Sequence, residues 1–287
     1  MKTLLATDGS SSATTALVTA SRLLTRDGNR FEVMCVVPEF PQTPVRTKRF
    51  REKYCDYMQR NAGVVLKRAM EVLQSEGIEA RVLGRNGSPG DMLVSVAEEY
   101  DVIVVGAQSR GERPGPGLGP VASRVVEKVS GITLAARELV NERNFSILVG
   151  VDGSTMSRNA IDALMTHFSV SGAQITLMHV IEKPWLRLDM KEDRPEELEQ
   201  SFAGELRSEA EHIIEEARAQ LGTRGLLAEA RIEEGIPSNE LLREVETGSY
   251  DLAVVGASGA SDLKHTLLGS VAFKLAYNAP CSVAVVR

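Results

Sequence analysis

The sequence predicts an α/β protein made of two doubly wound parallel-sheet domains in tandem. Three observations lead there: landmarks that occur twice in one order, short apolar runs alternating with segments of helical spacing, and turn residues directly behind the apolar runs. Thr3-Leu4-Leu5-Ala6-Thr7-Asp8-Gly9-Ser10 returns as Ile147-Leu148-Val149-Gly150-Val151-Asp152-Gly153-Ser154. Met34-Cys35-Val36-Val37 returns as Met178-His179-Val180-Ile181, and Gly87-Ser88-Pro89 as Gly235-Ile236-Pro237. The run from Tyr100 to Ala107 returns as Tyr250 to Ala257. The displacement is 144 residues from Asp8 to Asp152 and from Val36 to Val180, then 148 from Gly87 to Gly235 and 150 from Gly106 to Gly256. Slow drift of this kind is what short insertions in one of two equal units produce. The units fall at residues 1–137 and 145–287, with the polar stretch Glu138 to Asn144 as the linker.

Within each unit, β-branched runs such as Val102 to Val105 and Val283 to Val286 read as strands buried on both faces. Ala13, Leu17, Ala20 and Leu24 form one stripe of a helix after the first strand. Ser10 and Ser154 stand where N-caps belong, and Pro89 and Pro237 fall near helix starts, which tolerate proline. Strand, helix, strand, helix implies right-handed crossovers, and such sheets hold ligands beyond the carboxyl ends of their strands, where strand order reverses.

Composition narrows the function classes. At 287 residues, with 43% hydrophobic and 25% charged residues, the chain has ordinary globular usage and room for two domains. A net charge of −6 opposes a non-specific grip on nucleic acid, and 5% aromatic residues leave little for stacking platforms. Acid appears already at Asp8, too soon for a signal peptide, and no apolar run approaches a membrane span. A soluble cytoplasmic protein is expected, with no nucleic-acid or membrane partner. Cys35, Cys55 and Cys281 cannot all pair and match no metal spacing, so reduced and mostly buried thiols are expected.

Chemistry concentrates behind the fourth strand of the second unit. Gly256-Ala257-Ser258-Gly259 is followed, nine residues on, by Gly269-Ser270-Val271. Gly256 and Gly259 permit positive φ and let the backbone approach a ligand closely. Gly269 and Ser270 are expected to open a helix whose N–H groups and dipole favour phosphate, with the Ser270 hydroxyl adding a donor. Asp152, at the tip of the first strand behind Gly150, can accept from ribose hydroxyls or help hold a phosphate-bound metal.

This Gly-x2-Gly-x9-Gly-Ser pattern resembles that of the ATP-binding universal stress proteins, the UspA-like family. Val151-Asp152-Gly153-Ser154 and His179-Val180-Ile181 fit the same family, and the likeness runs once through each half. The resemblance implies tandem Rossmann-like domains of the adenine-nucleotide alpha-hydrolase-like kind and a stress-response regulator that binds ATP, together with Mg²⁺, in its second half. Val180 would meet adenine and Asp152 ribose. Gly256, Ser258 and Gly259 would line the nucleotide loop, and Gly269, Ser270 and Val271 would hold phosphates. It also implies that the last strands, Thr133 to Arg137 and Ser282 to Arg287, pair the two halves, with further dimerisation open. No catalytic or metal-ligating residue is assigned, and the resemblance implies slow hydrolysis at most. A true ATPase or nucleotide transferase, and a nucleotide-free interaction scaffold, stay open as other readings.

The first half keeps Asp8, Val36, Gly106 and Gly119 but has Ser109 in place of the second glycine and Pro120 in place of the serine. Proline there removes a hydroxyl and an N–H donor, so a degenerate or empty site is expected, unless Arg110 or Arg113 compensates. The run Gly115 to Pro120 lacks dinucleotide-loop spacing. His265, beside Lys264, reads as a solvated loop residue, and Asp262 has nothing to position it as a base. His167 and His212 have no metal partners, and His179 reads as a satisfied strand residue. The basic run Arg46 to Lys53 and the acidic run Lys191 to Glu197 read as solvated starts of the long second helices. Walker, nucleophile-elbow and zinc patterns are lacking.

Overall fold

The computed structural model describes residues 1–40, 48–108, 117–141, 144–182, 196–259 and 268–287. They form two compact units, Met1–Glu138 and Leu139–Arg287.

The first unit runs β1 (Lys2–Ala6), α1 (Ser11–Leu23), β2 (Arg30–Val37), α2 (Lys48–Ser75), β3 (Ala80–Asn86), α3 (Pro89–Ser95), β4 (Val102–Gly106), α4 (Pro120–Lys128) and β5 (Ile132–Ala136). Its strands pair in parallel in the order β3-β2-β1-β4-β5. The second unit repeats this with β6 (Ser146–Gly150), α5 (Thr155–His167), β7 (Gln174–Ile181), α6 (Glu196–Gly222), β8 (Ala228–Glu234), α7 (Pro237–Thr247), β9 (Leu252–Gly256), α8 (Ser270–Asn278) and β10 (Ser282–Val286). Its order is β8-β7-β6-β9-β10, again all parallel. The doubly wound α/β class expected from the sequence is therefore the observed one. In each unit strand order reverses beside the first strand, between β1 and β4 and between β6 and β9.

The central strands are as apolar as their sequences. Val102 to Val105 and Val283 to Val286 are buried throughout. The edge strands β3 and β8 are mostly exposed and carry Arg81, Arg85, Glu229 and Arg231, charges that blunt an open sheet edge. Ala13, Leu17, Ala20 and Leu24 are buried as one stripe, Leu24 serving as the C-cap of α1. The long helices seat narrow stripes, Ala62, Val65, Ala69 and Leu73 on α2 and Ala210, Ile214, Ala217 and Leu221 on α6. Residues Lys48 to Lys53 are exposed, as a solvated helix start should be. Arg46 and residues 191–195 lie outside the described residues. None of the three cysteines forms a disulfide; Cys35 and Cys281 are buried and Cys55 is exposed. Among the described residues no helix is long and apolar enough to cross a membrane.

Two buried acids tie each unit down in a different way. Asp251, fully buried, accepts from the N–H groups of Val140, Asn141 and Ser146 at 2.8, 2.9 and 2.9 Å and from the Asn141 side-chain amide at 2.8 Å. It thereby anchors the segment before β6. Its counterpart Asp101 is exposed and accepts the Lys2 N–H at 2.7 Å. In the first unit the buried acid is Glu32 on β2, which accepts the Tyr100 hydroxyl at 2.6 Å. That hydrogen bond, with Lys2 and Arg81 nearby, holds the Glu32 carboxyl below the usual range against the upward pull of burial. Burial and the same carboxylate push the Tyr100 phenol well above its ordinary value.

Asp251→Ala is expected to cost about 2–4 kcal/mol in urea unfolding of the second unit, since several amides lose their acceptor together. Asp101→Ala should cost about 1 kcal/mol. For Glu32, a pKa lowered by folding adds stability that is complete above the ordinary glutamate value of about 4.3 and fades as pH falls below it. Tyr100→Phe should therefore cost about 1–2 kcal/mol at pH 7. The gap to wild type should narrow below about pH 4. A gap that stayed constant down to pH 3 would show that the pair is not what sets the Glu32 titration.

Candidate functional site

The candidate site of the second unit begins with a turn. Behind β6 the chain reverses through Gly153 at φ +74°, a conformation that needs glycine. Asp152 Oδ1 accepts the Ser154 N–H at 3.0 Å, and the Ser154 hydroxyl accepts the Ser157 N–H at 3.1 Å, capping α5. The first unit repeats the device with Gly9 at φ +79°, Asp8 on Ser10 at 2.9 Å and Ser10 on Ala13 at 3.2 Å. Pro89 and Pro237 open α3 and α7. The helix-start signals are thus where the sequence puts them.

From β7, His179 donates from Nδ1 to the Val151 carbonyl at 2.8 Å, which ties the strand end to the turn and makes it a satisfied strand residue. The neighbouring Val180 is buried. From β9 comes Gly256, and its role differs from the expected one. Neither Gly256 nor Gly259 has positive φ. Both are positions of close approach. A Cβ on Gly256 would lie 2.8 Å from Met156 Cβ and 2.9 Å from its carbonyl carbon, in the first turn of α5. A Cβ on Gly259 would lie 2.7 Å from Asp152 Oδ2. The loop behind β9 is therefore pressed onto the aspartate, and the glycines make room rather than turn the chain.

The wall opposite is the start of α8. Gly269 is its N-cap at φ −66°, ψ 159°, and donates to the Ala257 carbonyl at 2.7 Å. Ser270 occupies the first helical position. The first-turn N–H groups of Ser270, Val271 and Ala272 have no acceptor within the helix. Such an end favours an anion by its dipole and its unpaired donors.

These elements enclose a cavity of about 390 Å³. Gly150, Asp152, Val180, Gly256, Ser258, Gly259, Gly269, Ser270 and Val271 all line it. The structure also brings in residues the sequence reading passed over, Glu182, Glu209, Ile213 and Leu241. Glu182 directly follows β7 and could have been found from the strand-end rule. Glu209 reaches the site only because α6 packs over β7, and no local signal marks it.

The first unit keeps a cavity in the matching place, about 330 Å³, lined by Asp8, Val36, Gly106 and Gly119. Pro120 opens α4 at the position of Ser270. Ser109, Arg110, Arg113, Gly115, Asp262, Lys264 and His265 lie outside the described residues. His212 faces Glu216 at 3.3 Å on the exposed side of α6. Among the described residues no group of three or more His, Cys, Asp or Glu could hold a metal ion.

Fold and cavities define a tandem of doubly wound α/β domains, each with a ligand-sized cleft at its topological switch point. The model of the universal stress protein family matches residues 1–135 and again 144–287, and the chain belongs to that family. It is similar to the universal stress protein YxiE of Bacillus subtilis, 31% identical over 144 residues, which are 49% of this chain and 97% of that protein. A universal stress protein of Mycolicibacterium smegmatis is 24% identical over 238 residues, 79% of this chain and 77% of its own. The crystal structure of a universal stress protein from Archaeoglobus fulgidus, 20% identical, covers 100% of this chain and 98% of its own with a TM-score of 0.70, which speaks to the fold.

Gly256→Ala is expected to lower the unfolding free energy by about 1–3 kcal/mol, since backbone and Cβ atoms cannot swing aside. Gly259→Ala should cost under about 1 kcal/mol, because it meets the movable end of a side chain. Urea titrations of the full chain compare the two.

Proposed function

We propose that the chain is a stress-response regulator whose second unit binds ATP. The observation that carries this reading is the convergence of nine residues from three strand ends and one helix N-terminus on a single cavity at the switch point between β6 and β9. The parts suit a nucleotide. Val180, Met178 and Leu241 offer an apolar wall for a base, and the Asp152 carboxylate an acceptor for ribose hydroxyls. Gly259 leaves the space that a Cβ would fill beside Asp152. The start of α8 supplies N–H donors and a hydroxyl for phosphate oxygens.

Three carboxylates, Asp152, Glu182 and Glu209, also line the cavity. A bare polyphosphate would be repelled by them. In this reading Mg²⁺ arrives with the nucleotide, held mainly by phosphates and water as that ion prefers, and screens the repulsion. The protein supplies binding and orientation, and occupancy changes its surface or stability by mass action. Pairing of the halves through their last strands, a cytoplasmic location and a degenerate first site belong to the same proposal.

Calorimetry of the full chain with Mg²⁺ and ATP is expected to give one site. Gly259→Asp should abolish it by placing a second carboxylate against Asp152, and Asp152→Ala should weaken it about 10- to 100-fold. Heat-neutral titrations, with no nucleotide released from freshly purified protein, would leave an interaction scaffold as the better reading. ATP turnover that disappears in Asp152→Ala would make the chain an enzyme instead.

A further inference from the structure

We propose that the outer face of α2 docks a second copy of this chain, laying an apolar and cationic stripe on the acidic groove between α5 and α6 of that copy. The proposal is independent of any ligand in the clefts.

The buried stripe of α2, Ala62, Val65, Ala69 and Leu73, accounts for one side of that helix. On the other side Phe50, Tyr57 and Val64 recur every seven residues, two turns apart, and so share a face. They are 43%, 67% and 49% exposed, so this apolar line of about 21 Å faces water in the single chain. Lys53, Arg60 and Lys67 run beside it at the same interval and are exposed throughout. Over the whole helix seven lysines and arginines stand against Glu52, Asp56 and Glu71. Such a face fits a partner that is apolar at the centre and acidic at the rim.

The second unit carries that chemistry. Between α5 and α6 lies a groove of about 420 Å³, lined by Val151, Ile161, Ile213 and Ala217 and edged by Glu216. Arg158, the one cation lining it, donates to the Gly153 carbonyl at 2.6 Å. Glu205 and Glu209 continue the acidic edge along the same flank of α6. From Glu205 to Gln220 this helix has five exposed glutamates against Arg207 and Arg218. The repeat makes the contrast position by position. A Cβ on Gly9 would meet Val65 and one on Gly153 would meet Ile213, which aligns α2 with α6. Tyr57, Lys67 and Arg68 then stand where α6 has Glu205, Glu215 and Glu216. Two copies of α2, or two of α6, would set like charges together. Only α2 of one copy on α6 of another matches both charge and apolar surface, and a two-fold dimer makes that contact twice. The net charge of −6 disfavours an anionic lipid surface, which would repel the rest of the chain.

Sedimentation velocity of the full chain at about 100 μM and low salt is expected to show a dimer. Reversing charge on α2, by Lys53→Glu with Arg60→Glu, should leave the chain monomeric. Reversal on α6, by Glu205→Lys with Glu216→Lys, should do the same. An equimolar mixture of the two variants should dimerise again, since each then meets its opposite at both contacts. All four side chains are exposed, and the urea transition of each variant checks that it folds. Tyr57→Ser should raise the dimer dissociation constant about tenfold. A wild-type monomer, a dimer that survives both reversals, or folded variants whose mixture stays monomeric would each overturn the proposal. A wild-type monomer that pellets with phosphatidylserine vesicles would overturn it in favour of a lipid surface.

Discussion

Both cavities depend on one steric condition: the fourth strand of each unit must end without a side chain, because the first turn of the unit's first helix lies directly on that end. At Gly256 the neighbours are Met156 Cβ and its carbonyl group, and at Gly106 they are the Ser12 hydroxyl and carbonyl, all at 3.0 Å or less from a built Cβ. Because α5 can rest there, the turn that precedes it is drawn toward β9, and Asp152 comes within touching distance of Gly259. The loop behind β9 then leads to α8 with Gly269 bonded to Ala257. An aspartate, a glycine loop and a helix start, far apart in sequence, meet because one Cβ is missing.

That condition also explains what could be read in advance and what could not. Strand positions, the caps at Ser10 and Ser154, the prolines opening α3 and α7 and the parallel order are local or periodic signals, and the sequence displays them directly. A glycine is ambiguous. It stands equally for positive φ and for close approach, and only the neighbours decide. Gly153 and Gly9 are of the first kind, Gly256 and Gly106 of the second. Glu209 was invisible because its place in the cavity comes from α6 crossing β7 and not from any pattern on α6 itself.

The paired tyrosines show how a repeat can preserve a residue and exchange its partner. Tyr100 donates to Glu32 on β2, whereas Tyr250 donates to Glu244 on α7 at 2.7 Å. Thr176 stands at the place of Glu32. Burial and the carboxylate raise the tyrosine hydroxyl above its ordinary value in both units. A buried hydroxyl needs an acceptor, but either neighbouring layer can provide one, so the acid was free to move. The sequence repeat announces the tyrosine and is silent on the partner.

The same freedom governs the clefts. Positions set by backbone contact are kept in both units: Asp8 and Asp152, Gly106 and Gly256, Gly119 and Gly269, Pro89 and Pro237. Positions around the opening have diverged: Gln108 against Ser258, Asn61 against Glu209 and Pro38 against Glu182 in the lining, and Pro120 against Ser270 at the start of the closing helix. A Cβ at Gly106 or Gly256 would push the unit's first helix off its sheet. A change in the second set alters charge and donor count while the sheet stays as it was. Duplication of a rigid frame with a variable rim therefore gives two clefts of similar size and different lining in one chain. The donor count differs at the first residue of the closing helix, where serine leaves an N–H and a hydroxyl and proline removes both.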